Sequence, residues 1–372
     1  MERFHQLLEA HHQYAEDWKA RTGRKVMGYM CTYFPEELVY AAGALPIRVL
    51  SIHEPDDVTA RYMYNAWCPA SRDIFLQRLK GKYDYLDGIG DGSCCEHLRT
   101  TFANWRLHAP TPYDYFVSVP AYADGPHAKT LLRKELAFFK TSLEEWTGNT
   151  ITEQALDHAI EVYNTNRRLM RQIYELRRAD NPPLSGAEAM AMVLCSQTMD
   201  KEEHNRLLMD VIRKLPQRKA SSDPGVRLML LGSGIDSPEL VRLIESLGAT
   251  IVIDELCSGS SYFWNEVIPQ EDRLLAIALR YLDKPRCPLK DIRYRHRTAH
   301  ISDLLEAYNA RGVIIAQQRL CHPFQFDNPV VMAALRQRHI PFHFMEHDNT
   351  IPYGESRIRI EAFVQMLQPQ LV

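Results

Sequence analysis

The sequence predicts an α/β protein: two doubly wound parallel-sheet domains joined by a helical connector, preceded by an N-terminal helix. Three observations carry this. Apolar runs of strand length alternate with amphipathic helical stretches at both ends of the chain, the pattern of βαβ crossovers. Between them lies a long stretch of helical periodicity without a strand signal. The length of 372 residues exceeds what one core usually supports, which favours two domains.

In chain order, residues 1–24 read as one amphipathic helix, with Phe4, Leu7, Leu8, His11 and Tyr14 at helical spacing. A first α/β domain over 25–126 opens with KVMGYM as strand, PEELVYAAG as helix with Pro35 at its start and Gly43 at its end, and LPIRVL as strand. It continues with a helix after Cys68, a strand from Tyr85 to Ile89, a helix after Cys95 and a strand from Asp114 to Pro120. Residues 127–222 read helix upon helix, and KASSDPG, Lys219 to Gly225, is the linker. The second α/β domain, 223–372, repeats the alternation. VRLMLLG, ATIVIDELC, VIIAQQ and IPFHFME are its strands, and SPELVRLIESLG, PVVMAALRQRH and RIRIEAFVQML its helices.

Composition removes several function classes. Lys and Arg total 44 against 47 Asp and Glu, a net charge of −3, and no basic run carries interleaved aromatics, so nucleic acid is not an expected partner. The N-terminus is charged and lacks an apolar h-region, and no stretch approaches the ~20 apolar residues of a membrane span. A soluble cytoplasmic protein is expected, without a membrane partner. Eight cysteines are too sparse for a disulfide scaffold, and no CxxC pair occurs. Reduced thiols or metal ligands assembled from distant positions are the expectation.

Three cysteines stand at element ends. Cys68 opens a helix, Cys94 and Cys95 sit where a strand hands over to the next helix, and Cys321 lies between the strand Val313 to Ala316 and a helix expected near Pro329. Ligands of open parallel sheets bind outside the carboxyl ends of the strands, and a helix N-terminus favours thiolate over thiol. One crevice, with Cys68 and Cys95 on one wall and Cys321 on the other, follows. Three thiolates suit a soft metal and above all an iron–sulfur cluster; a buried cysteine that packs as a small hydrophobe is the alternative. LLGSGIDSPEL sets Gly232, Ser233 and Gly234 between strand and helix, where backbone amides can meet a phosphate or thioester oxygen. It is not GxGxxG, and Ser237-Pro238 reads fully as a helix start, so a nicotinamide-binding loop is disfavoured. His322 beside Cys321 and His97 beside Glu96 are candidate proton donors, with His322 the chosen catalytic candidate and simple hydrogen bonding the alternative. No Walker A pattern is present, so chemistry needing ATP requires another chain.

Five ordered blocks carry a resemblance: MGYMCTYFPEELVYAAGALPIRVL, CPASRDIFLQRLKGKYDYLDGIGDGSCCEHLRTTFANW, LCHPFQFDNP, IPFHFMEHD and RIRIEAF. They resemble the 2-hydroxyacyl-CoA dehydratase and benzoyl-CoA reductase family from Lys25 to Leu367. The resemblance implies Rossmann-like domains and a 4Fe-4S cluster on three cysteines, which fall on Cys68, Cys95 and Cys321. Cys94, one residue from the matched Cys95-Glu96, is the alternate ligand; a vicinal disulfide between the two is disfavoured in a reducing compartment. Cys257 in DELCSGSSYFW resembles the benzoyl-CoA reductase branch and is read as a cluster-proximal wall residue, with core packing as its alternative. Ser261 stands where relatives commonly have a basic residue.

The implied partners are a paralogous core subunit, an ATP-hydrolysing iron–sulfur activator with a ferredoxin upstream, and a CoA-thioester substrate. The expected function is that of a core subunit of an ATP-dependent benzoyl-CoA reductase. Its alternatives are a subunit of a 2-hydroxyacyl-CoA dehydratase, a double-cluster small-molecule reductase, and a metal-free scaffold subunit.

Overall fold

The computed structural model describes residues 1–52, 58–64, 66–92, 95–218, 224–291, 295–348 and 353–368. Cys94 and most of the expected linker, residues 219–223, lie outside the described residues.

The chain opens with two helices rather than the single one expected, α1 (Glu2–Glu9) and α2 (His11–Thr22). The break falls at Ala10, whose φ of −96° and ψ of 22° leave the helical region. Next to it His11 turns its Nδ1 to the carbonyl of Leu8 at 2.7 Å and buries its ring. A side chain that competes for a backbone carbonyl ends the helix there.

Then come β1 (Val26–Tyr29), α3 (Glu36–Ala41), β2 (Leu45–Arg48), α4 (Pro69–Leu79), β3 (Gly88–Gly92), α5 (Glu96–His108) and β4 (Tyr113–Val117). The third strand starts at Gly88, later than the expected Tyr85. Tyr83, Tyr85 and Leu86 pack into the core from a turn instead, and the strand proper is GIGDG, a composition of low strand propensity. Packing explains that composition: a Cβ on Gly92 would stand 2.8 Å from the backbone at Tyr33 and Phe34, where the turn after β1 crosses the sheet end.

The helices α6 (Ala128–Thr147), α7 (Glu153–Glu175), α8 (Gly186–Thr198) and α9 (Lys201–Lys214) follow. They are layers of the fold: α6 packs on β4, α7 on α3 and α9, and α8 on α1 and β2. The chain ends with β5 (Val226–Gly232), α10 (Pro238–Ser246), β6 (Ala249–Leu256), α11 (Ser260–Phe263), α12 (Arg273–Asp283), α13 (His296–Ala307), β7 (Gly312–Gln318), α14 (His322–Gln337), β8 (Phe342–His347) and α15 (Tyr353–Leu367). Here α8 and α10 lie on β6, and α12 lies on α6.

Both sheets are four-stranded and wholly parallel, and their topology is the same: β2-β1-β3-β4 and β6-β5-β7-β8. Each reverses its winding between its first and third strands. The central strands β5 and β7 are buried from end to end, as parallel strands covered on both faces must be.

The carboxyl ends of the sheets are tied together by buried charge. Arg48, the last residue of β2, donates to both carboxylate oxygens of Asp236, in the turn between β5 and α10, at 3.1 and 3.4 Å, and to Gln197 of α8 at 3.1 Å. Removing one member of a buried pair of this kind typically costs about 3–5 kcal/mol.

Buried histidines make stability depend on acid. His204 is fully enclosed, accepting from Asn166 at Nδ1 (2.8 Å) and donating from Nε2 to the carbonyl of Met192 (3.0 Å). Burial, helped by Lys201, lowers its pKa to about 3, and burial with His11 nearby lowers that of His12 to about 3. In the unfolded chain both take up protons near 6.5, so their contribution is complete above that pH and is lost as pH falls toward 3. The unfolding free energy should therefore decline between pH 7 and 4 by up to about 1.4 kcal/mol per pH unit for each histidine. Denaturant titrations across this range should show a shallower decline in His204→Gln.

Candidate functional site

In sheets wound this way the crevice opens where the strand order reverses, outside the carboxyl ends. Here two such points face each other. The turns that leave β1, β3, β5, β6 and β7 meet around one cavity of roughly 120 Å³, lined by Cys31 after β1, Cys95 after β3, Ser233 and Gly234 after β5, Cys257 after β6 and Cys321 after β7. Cys68 joins them from the start of α4, and Met30, Ile74, Leu98 and Phe324 make much of the remaining wall apolar.

Cys68, Cys95 and Cys321 stand at the same local position, each the N-cap residue of the helix that follows it, α4, α5 and α14. None spends its sulfur on a cap hydrogen bond. The start of α14 differs from the expectation near Pro329: the helix begins at His322 and carries Pro329 in its interior. Pro323, in the first turn, is the proline that opens it, where a missing N–H costs nothing.

The thiol geometry is tight on one side. Cys68 and Cys321, 7 % and 9 % exposed, pack together with Phe324. The Cys68 sulfur lies 3.1 Å from Gln318 Oε1, and its backbone N–H donates to His97 Nδ1 at 3.0 Å. The Cys321 thiol, as hydrogen-bond donor, draws the Cys68 pKa down to about 5 against the opposing effect of burial; His97 and the N–H groups of Ser71 and Ala70 add to the lowering. Cys321 rises correspondingly. The pair thus shares one proton at neutral pH. Burial pushes the Cys257 thiol well up and that of Cys287 to about 12, so those two stay neutral.

The structure brings Cys68, Cys95, Cys257, Cys321, Ser233 and Gly234 to one cavity. Gly232 is not on its wall: it ends β5 opposite Ala316 of β7. His322 is exposed, its ring 4.4 Å from that of the buried His97, which in turn meets Trp67 at 4.6 Å. Ser261 lines a small adjoining chamber and donates to Glu255 at 3.1 Å. Cys195 lies apart in the core packed on β5, β6 and β7, its thiol on the carbonyl of Phe4.

Sequence reading missed Cys31, Cys287, Gln318 and the Arg48–Asp236 pair, all of which line the same cavity. Cys31 directly follows a strand and was open to the rule used for Cys95. Cys287 sits in an irregular segment between α12 and α13, where periodicity gives no guide. Gln318 and Arg48 carry no local signature at all.

Among the described residues no three His, Cys, Asp or Glu side chains converge closely enough to hold a single metal ion. A cubane asks for something else, one thiolate at each of several irons, so its ligands surround a volume rather than a point. Three N-cap thiols around an apolar cavity are a donor set of that kind.

The family model for 2-hydroxyglutaryl-CoA dehydratase, D-component, matches residues 31–367. A benzoyl-CoA reductase subunit of Thauera aromatica is 26% identical over 335 residues, 88% of this chain and 87% of that one. The (R)-phenyllactyl-CoA dehydratase beta subunit of Clostridium sporogenes is 25% identical, over 98% and 97% of the two chains. The beta subunit of (R)-2-hydroxyglutaryl-CoA dehydratase from Acidaminococcus fermentans is 26% identical, over 93% of each. A reductase and two dehydratases are thus similar to the chain to nearly the same degree.

The two glycines of the turn after β5 should respond differently to a methyl group. On Gly232 a Cβ would stand 2.0 Å from the carbonyl oxygen of Ala316, a strand backbone that cannot yield, whereas on Gly234 it would make an ordinary 3.6 Å contact with Arg48. Gly232→Ala should lower unfolding free energy by about 1–3 kcal/mol or more, and Gly234→Ala should leave the denaturation midpoint nearly unchanged.

Proposed function

We propose that this chain, which belongs to the 2-hydroxyglutaryl-CoA dehydratase, D-component, family, is an iron–sulfur core subunit of an ATP-dependent benzoyl-CoA reductase, passing low-potential single electrons to an aromatic acyl-CoA thioester to give a cyclic dienoyl-CoA. The observation that carries the reading is the trio of N-cap thiols, Cys68, Cys95 and Cys321, on the wall of one cavity between the facing sheet ends. The similarity to a benzoyl-CoA reductase subunit over most of both chains supports this reaction to the same degree as the dehydratase relatives support the alternative.

A 4Fe-4S cluster held by those three thiolates would supply the electrons, with one iron left without a protein ligand. The chain's own residues prepare the surroundings. Helix N-termini at all three cysteines favour the thiolate form that a metal needs. Met30, Ile74, Leu98 and Phe324 exclude water, so hydrogen bonds and charges inside act at low dielectric on the negative charge that grows when a thioester carbonyl takes up an electron. The Arg48 guanidinium at the cavity wall is already neutralised by Asp236. His322, exposed beside the cavity-lining His97, is the proton donor in this reading, and Ser233 and Gly234 are wall groups for the thioester.

ATP is hydrolysed elsewhere, since the sequence lacks a Walker A loop. The partners in this reading are a paralogous core subunit, an ATP-hydrolysing iron–sulfur activator and an upstream ferredoxin. No helix among the described residues is long and apolar enough to cross a membrane, and the proposed location is the cytoplasm. Elimination of water from a 2-hydroxyacyl-CoA is the alternative reaction for the same site, supported by the dehydratase relatives. A second reading has its own observation: Cys31, Cys257 and Cys287 line the cavity along with the N-cap trio, enough thiols for a double cluster in a small-molecule reductase.

Iron, acid-labile sulfide and the electron paramagnetic resonance spectrum of anaerobically purified protein test these readings. About four irons per chain are expected for one cubane. Cys68→Ala, Cys95→Ala and Cys321→Ala should each lose iron while Cys195→Ala retains it. Full iron in the first three would reject the ligand assignment, and iron loss in Cys31→Ala and Cys287→Ala with roughly twice the iron in wild type would favour the double cluster. Turnover of benzoyl-CoA against a 2-hydroxyacyl-CoA, with the partner chains present, then separates reductase from dehydratase.

A further inference from the structure

Gln318 is the last residue of β7 and is 1 % exposed, yet it has polar partners on both sides of the boundary between the two sheets. Its Oε1 accepts from the backbone N–H of Ala70 at 3.2 Å and lies 3.1 Å from the Cys68 sulfur, both at the start of α4. Its Nε2 donates to the carbonyl of Gly234 at 2.7 Å, its backbone N–H donates to Ser233 Oγ at 3.3 Å, and its carbonyl receives the N–H of Cys321 at 3.0 Å. A carboxamide whose NH2 faces a carbonyl acceptor and whose oxygen faces an N–H donor has its orientation fixed by chemistry.

The partner at Ala70 matters because of what α4 lacks. The first N–H groups of a helix have no intrahelical acceptor. The N-cap residue usually supplies one from its own side chain, but the N-cap here is Cys68, whose side chain makes no cap hydrogen bond. Pro69 has no N–H, and Ser71 bonds back to the carbonyl of Cys68 at 3.0 Å. The N–H of Ala70 is capped by Gln318, 248 residues away.

We propose that Gln318 is the positioning residue of the metal centre, a helix cap delivered from the second sheet that fixes the Cys68 sulfur against Cys321. The metal centre is the one proposed above, and the inference rests on that reading. By replacing the cap that a serine or aspartate would give α4, Gln318 leaves the N-cap position open to a cysteine. By gripping Gly234 and the N–H of Cys321, it makes the separation of the two sheets and the separation of the two sulfurs a single movement.

The test uses the full chain with any co-purifying partner, as wild type, Gln318→Leu and Gln318→Glu. In metal-free protein, Gln318→Leu should speed hydrogen exchange at the Ala70 amide roughly fivefold and leave Phe75 and Leu76, deeper in α4, unchanged. Gln318→Glu keeps an acceptor oxygen and should retain the protection. In cluster-loaded protein, Gln318→Leu should lose iron to a chelator roughly tenfold faster. Gln318→Glu should hold iron better than Gln318→Leu and shift the midpoint potential to a more negative value, because a carboxylate then stands beside the Cys68 sulfur. Wild-type exchange at Ala70 in Gln318→Leu overturns the cap. Wild-type iron retention in that variant, or an unshifted potential in Gln318→Glu, overturns its role at the metal. A wild-type chain that takes up no iron counts against the cluster reading, and the exchange comparison alone then decides whether Gln318 caps α4.

Discussion

Parallel strands impose one condition from which the rest of this molecule follows: every strand delivers its chain to the same edge of the sheet, and every crossover helix begins there. All the strand-to-helix turns of a domain, with their unsatisfied helix N–H groups, therefore collect along one rim. Two sheets of identical strand order present two such rims, and Arg48 with Asp236 holds them face to face. A guanidinium that is 7 % exposed cannot stand without its carboxylate, so the pair resists opening of the boundary. The cavity is what remains between the rims, and its walls are necessarily residues from strand ends and helix starts.

That condition explains both what was legible in the sequence and what was not. Strands buried on both faces read as unbroken apolar runs, which is why β5, β6 and β7 were visible as VRLMLLG, ATIVIDELC and VIIAQQ. Thiols at helix starts could be read off their neighbours, as Pro69 after Cys68 illustrates. The strand GIGDG hid because close approach of the turn at Tyr33 and Phe34 forces glycine where strand propensity would ask for a β-branched residue. The start of α14 was misplaced because two prolines, Pro323 and Pro329, each fit a helix start and only packing chooses between them. The break at Ala10 depends on a His11 ring that finds the Leu8 carbonyl, and no periodicity records it. Gln318 is the extreme case. Its partners are 248 and 250 residues distant, and a polar residue closing an apolar strand looks, in sequence, like an ordinary strand end.

The cavity also raises an electrostatic question, since Cys31, Cys68, Cys95, Cys257, Cys287 and Cys321 share it. Six thiolates in so small a volume would repel one another beyond what folding can offset. Neutral thiols do not, and they pack as small hydrophobes. Burial holds Cys257 and Cys287 in that neutral form, while Cys68 and Cys321 share a proton, and helix N–H groups and a donated S–H hold the charge on Cys68. Neutral Cys257 and Cys287, and a proton kept between Cys68 and Cys321, limit the charge that such a thiol-rich pocket must hold.

A metal reverses the balance. Binding at thiol sulfur expels protons, and the cations that enter then neutralise the thiolates left behind. The groups that must already be in place for this exchange are the ones that do not ionise: the helix N-termini under each sulfur, the apolar wall, and the amide of Gln318. Fixed dipoles need no reorganisation when charge arrives, and in a water-excluding cavity they act at full strength. The arrangement that lets the metal-free pocket exist, buried neutral thiols beside helix starts whose neighbours are held by amides across the boundary, is therefore also one that would serve the proposed cluster when charge arrives.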